Sequence, residues 1–487
     1  MKNQNQKLKS NKYFFYTNNI LILSLIFTTQ VFASKTSLNN GADTFSLYQV
    51  IASTFKHHPM IMSQMKELDQ AKQYVRQSLG AFDLNLKSDA QGYTDGYYDG
   101  QAFNVFLEKP LFYLNSKAYA GYRKSDGTFP VYNDQLTTLS EGEAFAGAMI
   151  SLLRDRSIDD KRFKNIIARQ NLVQSELELK NQYVELQTMA ANAYYKWLSH
   201  LEKVRVQIEL LSLAESRVQN FSTRIRKGDL AKIYGLENEQ YILKRQINLN
   251  QDKQKLYQAS LYLSLFYRDS NGSPIIIKES NLTKMGELKN KKVKDPIELL
   301  NLVNAQDLMI QNLQSQIQQT VADRKMGYNE LLPKLDLKYE ISDDSGAGNT
   351  NLDPLQQSVY LNMALPIERR LGQGRLNAAK AKREALEIKI KFKKEKNQIE
   401  VMSLLNNLKL FKQNYELTQK QIGLADKLRD SEIIKFNKGA SDFILVNLRE
   451  ENFAESKIKN IKAYLDYNRN FVELQRLAVD LIIPIPN

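Results

Sequence analysis

Two very long helical patterns, one in each half of the chain, constrain its fold more than any other feature. In the second half, apolar residues recur at steps of three or four within a predicted helix over about 376–436: Val401, Leu404, Leu408, Phe411, Tyr415, Thr418, Ile422 and Ala425. The first half has a matching stripe: Phe163, Ile166, Val173, Leu177, Val184, Ala191, Tyr194, Leu198, Leu201, Ile208 and Leu211. Such a helix measures on the order of 90 Å, and its other faces are polar. The sequence therefore predicts coiled-coil helices packed edge to edge in a wall.

Each long helix ends near a glycine and is followed by a second helical pattern. Gly228 and Gly439 are expected to adopt the left-handed conformation that helix C-termini favour. The returning helices are predicted over roughly 230–266 and 443–478, which gives two antiparallel hairpins. Residues that could cap the returning helices follow each glycine: Asp229, Ser441 and Asp442.

Short segments with alternating apolar and polar residues precede the long helices and predict four strands per chain. In the second half, the apolar positions are Leu335, Leu337, Tyr339, Ile341, Val359, Leu361, Met363 and Leu365. The first half has a weaker apolar face: Leu84, Leu86, Ser88, Ala90, Ala144, Ala146, Ala148 and Ile150. Taken alone, this alternation favours a soluble sheet.

The N-terminus has the order of a secretory signal. An apolar stretch over 20–27 and a small-residue cleavage site ending at Ala33 follow four basic residues, Lys2, Lys7, Lys9 and Lys12. The apolar stretch is far shorter than the roughly 20 residues that span a bilayer, so a cleaved signal peptide at 1–33 is predicted rather than an anchor. No later segment is apolar enough to span as a helix, so a membrane crossing would require a closed β-barrel. Export and the long helices together favour lipid contact for the eight apolar positions of the second half.

The residue content argues against catalysis and nucleic-acid binding. The chain has no cysteine and only three histidines, His57, His58 and His200, which leaves little material for thiol chemistry or a metal site. The net charge of +14 is dispersed among acidic residues on helical faces, as is typical of solvated helices. No Ser/His/Asp set or phosphate-binding loop is present. We therefore expect no enzyme activity, cofactor, metal or nucleic-acid partner.

The two halves of the chain correspond to each other. Leu84 matches Leu335, and at the same offset Ala71 falls on Ala322, while Asp295-Pro296 opens a short helix. Each half reads as short helix, medium helix, strand hairpin, long helix, glycine turn and long helix, which indicates a quasi-symmetric unit. The expected segments are a signal peptide (1–33), first-repeat helices (34–82), strands with an inserted loop (83–153), a helical hairpin (154–268), a collar or linker (269–295), second-repeat helices (296–333), a strand hairpin (334–367), a second helical hairpin (368–480) and a tail (481–487).

Four strands cannot close a barrel, because closure requires at least about eight. The chain is therefore predicted to oligomerise. Three copies with four strands each would supply twelve, although the number three does not follow from the residues.

These segments, by their order and duplication, resemble the TolC family of outer-membrane factors over essentially all of the mature chain. The matching motifs are the helix start at 45–60, the helices around Ala71 and Ala322, the strand entry at 332–335, the strand exit at 365–367 with Gly372-Gln373-Gly374-Arg375, and the two glycine turns. The resemblance implies a mainly α fold with a small β part. Long coiled-coil α-helical hairpins would form a periplasmic tunnel, and four β-strands per chain would form a β-barrel shared by a homotrimer in outer-membrane lipid.

The resemblance also implies a passive exit duct for efflux or type I secretion, which works with a periplasmic adaptor (membrane fusion) protein and an inner-membrane pump. In such assemblies the helix tips meet the adaptor, which here would be Arg226, Gly228, Asp229, Leu230, Gly439, Ser441 and Asp442. The alternative is that these are only turn residues. Some members close the tunnel with acidic residues just past the second tip. Here that stretch reads Leu445-Val446-Asn447-Leu448, and Asp442 is the candidate one turn earlier.

Two stretches of the first half differ from the family pattern. The stretch 151–159 resembles a strand exit, with Ser151 where a proline is usual. The stretch 121–132, within an insertion at 99–135, is expected to be an extracellular or interfacial loop whose aromatic residues pack at an interface, with ligand recognition as the alternative. The competing function for the whole chain is a periplasmic coiled-coil adaptor or structural spacer, which would have no need of lipid-facing strands.

Overall fold

A computed structural model describes residues 45–130, 136–277, 285–288, 294–348, 350–352 and 355–485. The predicted signal peptide at 1–33 lies outside the described residues. The helices are α1 Leu47–His57, α2 Pro59–Leu79, α3 Asp160–Lys227, α4 Lys232–Ser264, α5 Pro296–Gln306, α6 Leu308–Leu331, α7 Arg370–Asn437 and α8 Phe443–Leu477. The strands are β1 Asn85–Gly92, β2 Gln101–Pro110, β3 Lys117–Asp126, β4 Gly142–Ser151, β5 Lys334–Ser345 and β6 Gln356–Ala364.

The two predicted long helices are present as α3 and α7, each 68 residues long. At 1.5 Å per residue each extends about 100 Å. Gly228 follows α3 with a φ of 82°, and Gly439 follows α7 with a φ of 74°, so both turns use the left-handed conformation that the sequence predicts. Both returning helices, α4 and α8, are also present.

The capping predictions have different outcomes. Asp442 precedes α8 and its carboxylate accepts a hydrogen bond from the Ile444 amide at 3.1 Å, as predicted. Asp229 was expected to cap α4, but α4 begins after Ala231, which supplies no side-chain hydrogen bond. The chain continues for two residues past Asp229 before it becomes helical, so the carboxylate is not at the capping position.

The described helices form a wall. In one layer of this wall, α4 packs on α3, α3 on α8 and α8 on α7. In addition, α6 lies between α3 and α7, and α2 packs on α3. In the described part of the chain, α4 and α7 are therefore the outer members of the α4, α3, α8, α7 layer. None of the described helices combines the length and the apolar composition needed to cross a bilayer.

The largest core lies where α1 packs against α3 and the end of α4. Trp197, Phe45 and Leu263 are buried there, with the Phe45 and Trp197 rings 5.3 Å apart in an edge-on arrangement. The Thr54 hydroxyl on α1 donates to the Phe266 carbonyl at 2.9 Å, which ties α1 to the segment after α4. The equivalent short helix of the second half, α5, begins with the predicted Asp295 cap and Pro296.

The sheet contains more strands than the sequence predicts. Within the described residues it has six strands in the order β1-β2-β3-β4-β5-β6, and every neighbouring pair is antiparallel. The prediction of four strands was therefore wrong, and the stretch 121–132 was wrongly expected to be a loop as far as Asp126, where β3 ends. The two strands that were not predicted are β2 and β3. Phe106 breaks the alternation of apolar and polar residues in β2, and the small alanines of β3 give only a weak apolar pattern. Residues 131–135 of the insertion lie outside the described residues.

We predict that Leu263→Ala lowers the free energy of unfolding by about 2–5 kcal/mol, because Leu263 is 0% exposed and truncation would leave a cavity in this core. Trp197, the only tryptophan of the sequence, is buried in the same core, so its fluorescence during denaturant titration in detergent is the measurement. Gln219→Ala, at an exposed position of α3, should stay within about 0.5 kcal/mol of wild type. Equal midpoints for the two variants would contradict the placement of this core.

Candidate channel wall and helix tips

All six strands contribute to one apolar face of the sheet. Directly paired residues of antiparallel strands have side chains on the same face, so the register assigns each position. The apolar face, as we name it, consists of Leu86, Ala90, Phe103, Val105, Leu107, Ala118, Ala120, Tyr122, Ala144, Ala146, Ala148, Ile150, Leu335, Leu337, Tyr339, Ile341, Val359, Leu361 and Met363. Its polar and charged members are Ser88 and, toward the strand ends, Gln101, Lys109, Lys124, Asp126, Asp343, Ser345 and Gln357. Val359, Leu361 and Met363 are 68%, 62% and 68% exposed, so the chain itself leaves this edge of the face uncovered.

The eight residues predicted to face lipid lie on β5, on β6 or directly after β6. Seven of them are on β5 and β6 and belong to the apolar face. Leu365 follows the end of β6 by one residue and is exposed. Their contact with lipid remains a prediction.

The opposite face, which we name the charged face, is lined by ionised side chains that pair with one another. Glu108 on β2 binds Lys87 on β1 at 2.7 Å and Lys117 on β3 at 2.9 Å. The remaining ion pairs of this face on β3, β4 and β5 are Arg123 with Glu143, Arg123 with Glu340, Lys338 with Glu340 and Lys334 with Asp336. The carboxylates are largely buried, and pairing offsets the cost of removing them from water.

The sheet ends in two strands, β1 and β6, that each pair with only one described neighbour. Every residue of β1 is exposed, and most of β6 is exposed as well. Open edges of this kind carry unpaired backbone groups and are templates for another strand. Because β1 and β6 run in opposite directions in the meander, β6 of one copy could pair with β1 of another in the antiparallel sense.

The helical wall ends in two exposed apolar stripes. On α4 the stripe consists of Ile233, Leu236, Leu243, Ile247, Tyr257 and Leu261. On α7 it consists of Ile388, Phe392, Ile399, Met402, Leu410, Leu417, Leu424 and Leu428. Most of their spacings are three, four or seven residues, as in a coiled-coil seam, with one spacing of ten on α4 and one of eight on α7. Each outer helix therefore presents a seam that no other described part of the chain covers.

An aromatic cluster joins the tips of the two helical hairpins. Phe221 on α3 lies 4.9 Å from Phe443 on α8, and Phe436 on α7 lies 5.7 Å from Phe443, measured between ring centroids. Val446 completes the buried set, and Tyr234 packs against it from α4. All four long helices thus meet within one apolar contact near their turns.

The predicted adaptor-contact residues surround this cluster. Most of them are exposed at the two turns: Arg226, Gly228, Asp229, Gly439 and Asp442. Leu230 packs against the aromatic cluster, and Ser441 donates a hydrogen bond to Glu432 at 2.5 Å. That hydrogen bond, together with the positive charges of Lys435 and Arg449, lowers the pKa of Glu432. The structure therefore brings both predicted tips to one end of the wall, and adaptor contact remains a prediction.

A buried ion pair across the two hairpins was missed by the sequence analysis. The Arg217 guanidinium on α3 donates from Nη2 to both carboxylate oxygens of Glu450 on α8 at 2.7 Å, and Glu450 is 3% exposed. Glu450 is the first acidic residue after the stretch 445–448, where the resemblance led us to look for an acidic group. The sequence does show that Glu450 is an acidic residue at a position of α8 that faces the wall. Its partner Arg217 lies 233 residues away, so the ion pair cannot be found from the spacing of residues.

The fold is similar to that of several solved outer-membrane proteins. The outer-membrane channel OprN is 13% identical, with 89% of each chain covered and a TM-score of 0.64. VceC, an outer membrane protein of Vibrio cholerae, is 13% identical over 89% of this chain and 96% of that chain, with a TM-score of 0.64. The CmeC outer membrane channel of Campylobacter jejuni is 12% identical over 89% and 85%, with a TM-score of 0.63.

The chain has the fold of these outer-membrane channels. The mainly α fold with a small β part, predicted from the resemblance, is thereby confirmed. No protein-family model and no curated protein sequence matches the chain.

We predict that Glu450→Ala destabilises this channel fold by about 3–5 kcal/mol, because it leaves the Arg217 cation without its partner in a largely buried site. Lys244→Ala is the matched control, since Lys244 pairs with the neighbouring Glu451 but is largely exposed, and such pairs contribute up to about 1 kcal/mol. Denaturant unfolding of both variants and of Arg217→Ala is the measurement, with the double variant closing the cycle. If Glu450→Ala and Lys244→Ala lowered the free energy of unfolding equally, the buried ion pair would contribute no more to stability than the exposed one.

Proposed function

We propose that the chain is a subunit of an outer-membrane exit channel, a TolC-family factor that conducts solutes from the periplasm to the exterior. The observation that carries the proposal is the apolar face, which continues across all six strands while both sheet edges stay open. A sheet of this kind suits lipid on one side and water on the other once its edges are paired. The predicted secretory signal at 1–33 and the outer-membrane channel fold support the same interpretation.

We propose that identical copies supply the missing partners. The α4 stripe of one chain would pack on the α7 stripe of the next, and β6 would pair with β1. The contact joins two different surfaces, so it repeats around a ring and closes when the rotation between copies allows it. The resemblance to the TolC family implies that three copies form the ring, as a homotrimer.

In the proposed arrangement, the chain performs no chemistry and supplies a passive duct. The sheet lies in outer-membrane lipid, the helical hairpins at 154–268 and 368–480 form a periplasmic tunnel, and 269–295 belongs to a collar around it. The exposed residues of the two turns are the proposed contact with a periplasmic adaptor protein, and an inner-membrane pump would deliver the cargo of an efflux or type I secretion system. The resemblance to the TolC family supports these partners.

The helix tips are the proposed gate. The aromatic cluster and the Arg217–Glu450 pair tie the α7–α8 hairpin to the α3–α4 hairpin, so the tips can separate only when these contacts are exchanged for others. Such a change is a movement of packed helices between two arrangements. In this proposal Glu450 is the acidic residue of the gate, in place of Asp442, the candidate from the sequence.

We predict that Leu243→Asp prevents assembly, because it places a charge in the α4 stripe, whereas Leu243 is 55% exposed in the single chain. Ser212→Asp introduces the same charge at an exposed position of α3, an inner helix of the wall, and should assemble normally. The measurement is the amount of heat-sensitive oligomer on gels of outer-membrane fractions. Assembly of Leu243→Asp at the wild-type level would argue against the α4–α7 contact.

The function itself is tested with the purified wild-type protein. Oligomers inserted into planar bilayers should conduct ions in discrete single-channel steps, and membrane fractionation should place the protein with outer-membrane lipid. A soluble monomer in the periplasmic fraction would instead support an adaptor or spacer and would overturn the channel proposal.

A further inference from the structure

We propose that the hairpin formed by β2 and β3, residues 101–126, lies within the lipid-embedded wall of the channel and contacts acyl chains, so that three copies close a barrel of eighteen strands. Each copy contributes six strands to that number. The inference rests on the proposed function. It replaces the expected surface loop and the expected twelve strands by a wider barrel.

The lengths of the inserted strands fit a membrane span. The strands β2 and β3 have 10 residues each, and tilted strands of about 9–11 residues cross a bilayer. The neighbouring β4 also has 10 residues. Both inserted strands pair along their lengths, β2 with β1 and β3 with β4, so the hairpin extends the sheet sideways and does not project from it.

The apolar face runs through the central part of the hairpin, and Lys109 and Lys124 lie on the same face near the strand ends. Val105 on β2 is paired with Tyr122 on β3, and Tyr122 is paired in turn with Ala144 on β4. Phe103 and Leu107, on the same face of β2, are 53% and 46% exposed. A loop in water would have no reason to place apolar side chains on the same side as those of β4, β5 and β6. A strand in lipid would, because one face of every strand in a barrel meets the bilayer.

The hairpin is also tied into the charged face. The Tyr119 hydroxyl on β3 reaches past β4 and donates to Glu340 on β5 at 2.7 Å. It crosses β4 at Gly147, where an added Cβ would lie 2.2 Å from the hydroxyl oxygen. Arg123 on β3 donates to Glu143 on β4. These contacts span three strands, so the hairpin cannot swing away from the sheet without breaking buried polar pairs.

The turn between β2 and β3 is anchored at the end of β4. The Ser151 amide donates to the Leu114 carbonyl in that turn at 3.1 Å, and its hydroxyl accepts from Asn115 and donates to Asp336 at 2.8 Å. The corresponding strand exit of the second half has Pro366, which has no amide hydrogen to donate. Serine at this exit therefore matches the presence of an added turn in the first half.

Aromatic side chains flank the hairpin at both ends. Phe112 and Tyr113 lie in the turn between β2 and β3, and Phe112 is 4.9 Å from Phe82, next to the helices. Tyr97 and Tyr98 precede β2 at the other end. Aromatic residues are enriched at both membrane interfaces of such barrels. Their positions here are separated by the length of the two inserted strands.

Single-cysteine variants test the proposal on the full-length oligomer, because the natural chain has no cysteine. Val105→Cys and Leu107→Cys sample the apolar face of β2, and Ala102→Cys and Asn104→Cys sample its other face. Each variant carries a nitroxide spin label and is reconstituted in vesicles of phosphatidylethanolamine and phosphatidylglycerol. The readout is the collision of the label with oxygen, which concentrates in lipid, compared with a water-soluble nickel chelate.

Two positions on β6 serve as controls on the proposed function, since β6 was expected to face lipid independently of the insertion. Leu361→Cys lies on its apolar face and Tyr360→Cys on its other face. We expect oxygen collisions to exceed nickel collisions at 105, 107 and 361, and the reverse order at 102, 104 and 360. Alternation on β6 with water access at all four β2 positions would overturn the inserted wall and leave the channel standing. Loss of alternation on both strands would overturn the channel itself.

Discussion

Uncovered apolar surface is the constraint on which the rest of this structure depends. The sheet has one apolar face, and each outer helix of the wall has an apolar seam, yet the described residues supply nothing to cover them. Burial of apolar area is worth about 25 cal/mol per Å², so surfaces of this extent need a partner, which is lipid for the sheet and another copy for the helices in our proposal. Insertion into lipid depends on assembly of the copies, because the sheet can enter lipid only when its edges are paired.

The constraint also explains why the two long helices differ in how many side chains they bury within the chain. In the wall, α3 has neighbours on two sides, and its buried residues include Leu198, Leu201 and Leu210. By contrast, α7 is the same length but buries few apolar side chains, because one of its sides is an edge. The largest buried apolar cluster of the chain surrounds Trp197, a second one lies at the tips, and a smaller one that includes Leu210 and Ile461 joins α3 to α8 between them.

Local patterns were sufficient for most of the fold. The steps of three and four predicted α3 and α7, and the glycines predicted both turns, because each feature depends on residues close in sequence. The apolar positions of β5 and β6 followed from strict alternation. The strands β2 and β3 were missed because Phe106 faces the charged side, where it packs over Gly121, and because alanine gives a weak apolar signal. At the tips, Glu450 could not be paired with Arg217 from sequence, since only tertiary packing brings α3 and α8 together.

In the proposed channel, the added hairpin widens the part of the duct that lies in the membrane. Barrel diameter grows with the number of strands, and barrels of sixteen to eighteen strands leave an aqueous channel. The ionised side chains of the charged face are paired across neighbouring strands, so this part of the lumen would offer a passing solute little unpaired charge. The helices, in contrast, meet at the aromatic cluster and the Arg217–Glu450 pair, where apolar contact excludes water. Control of passage in the proposed channel therefore belongs to the helix tips, and the insertion changes the membrane part without changing the gate.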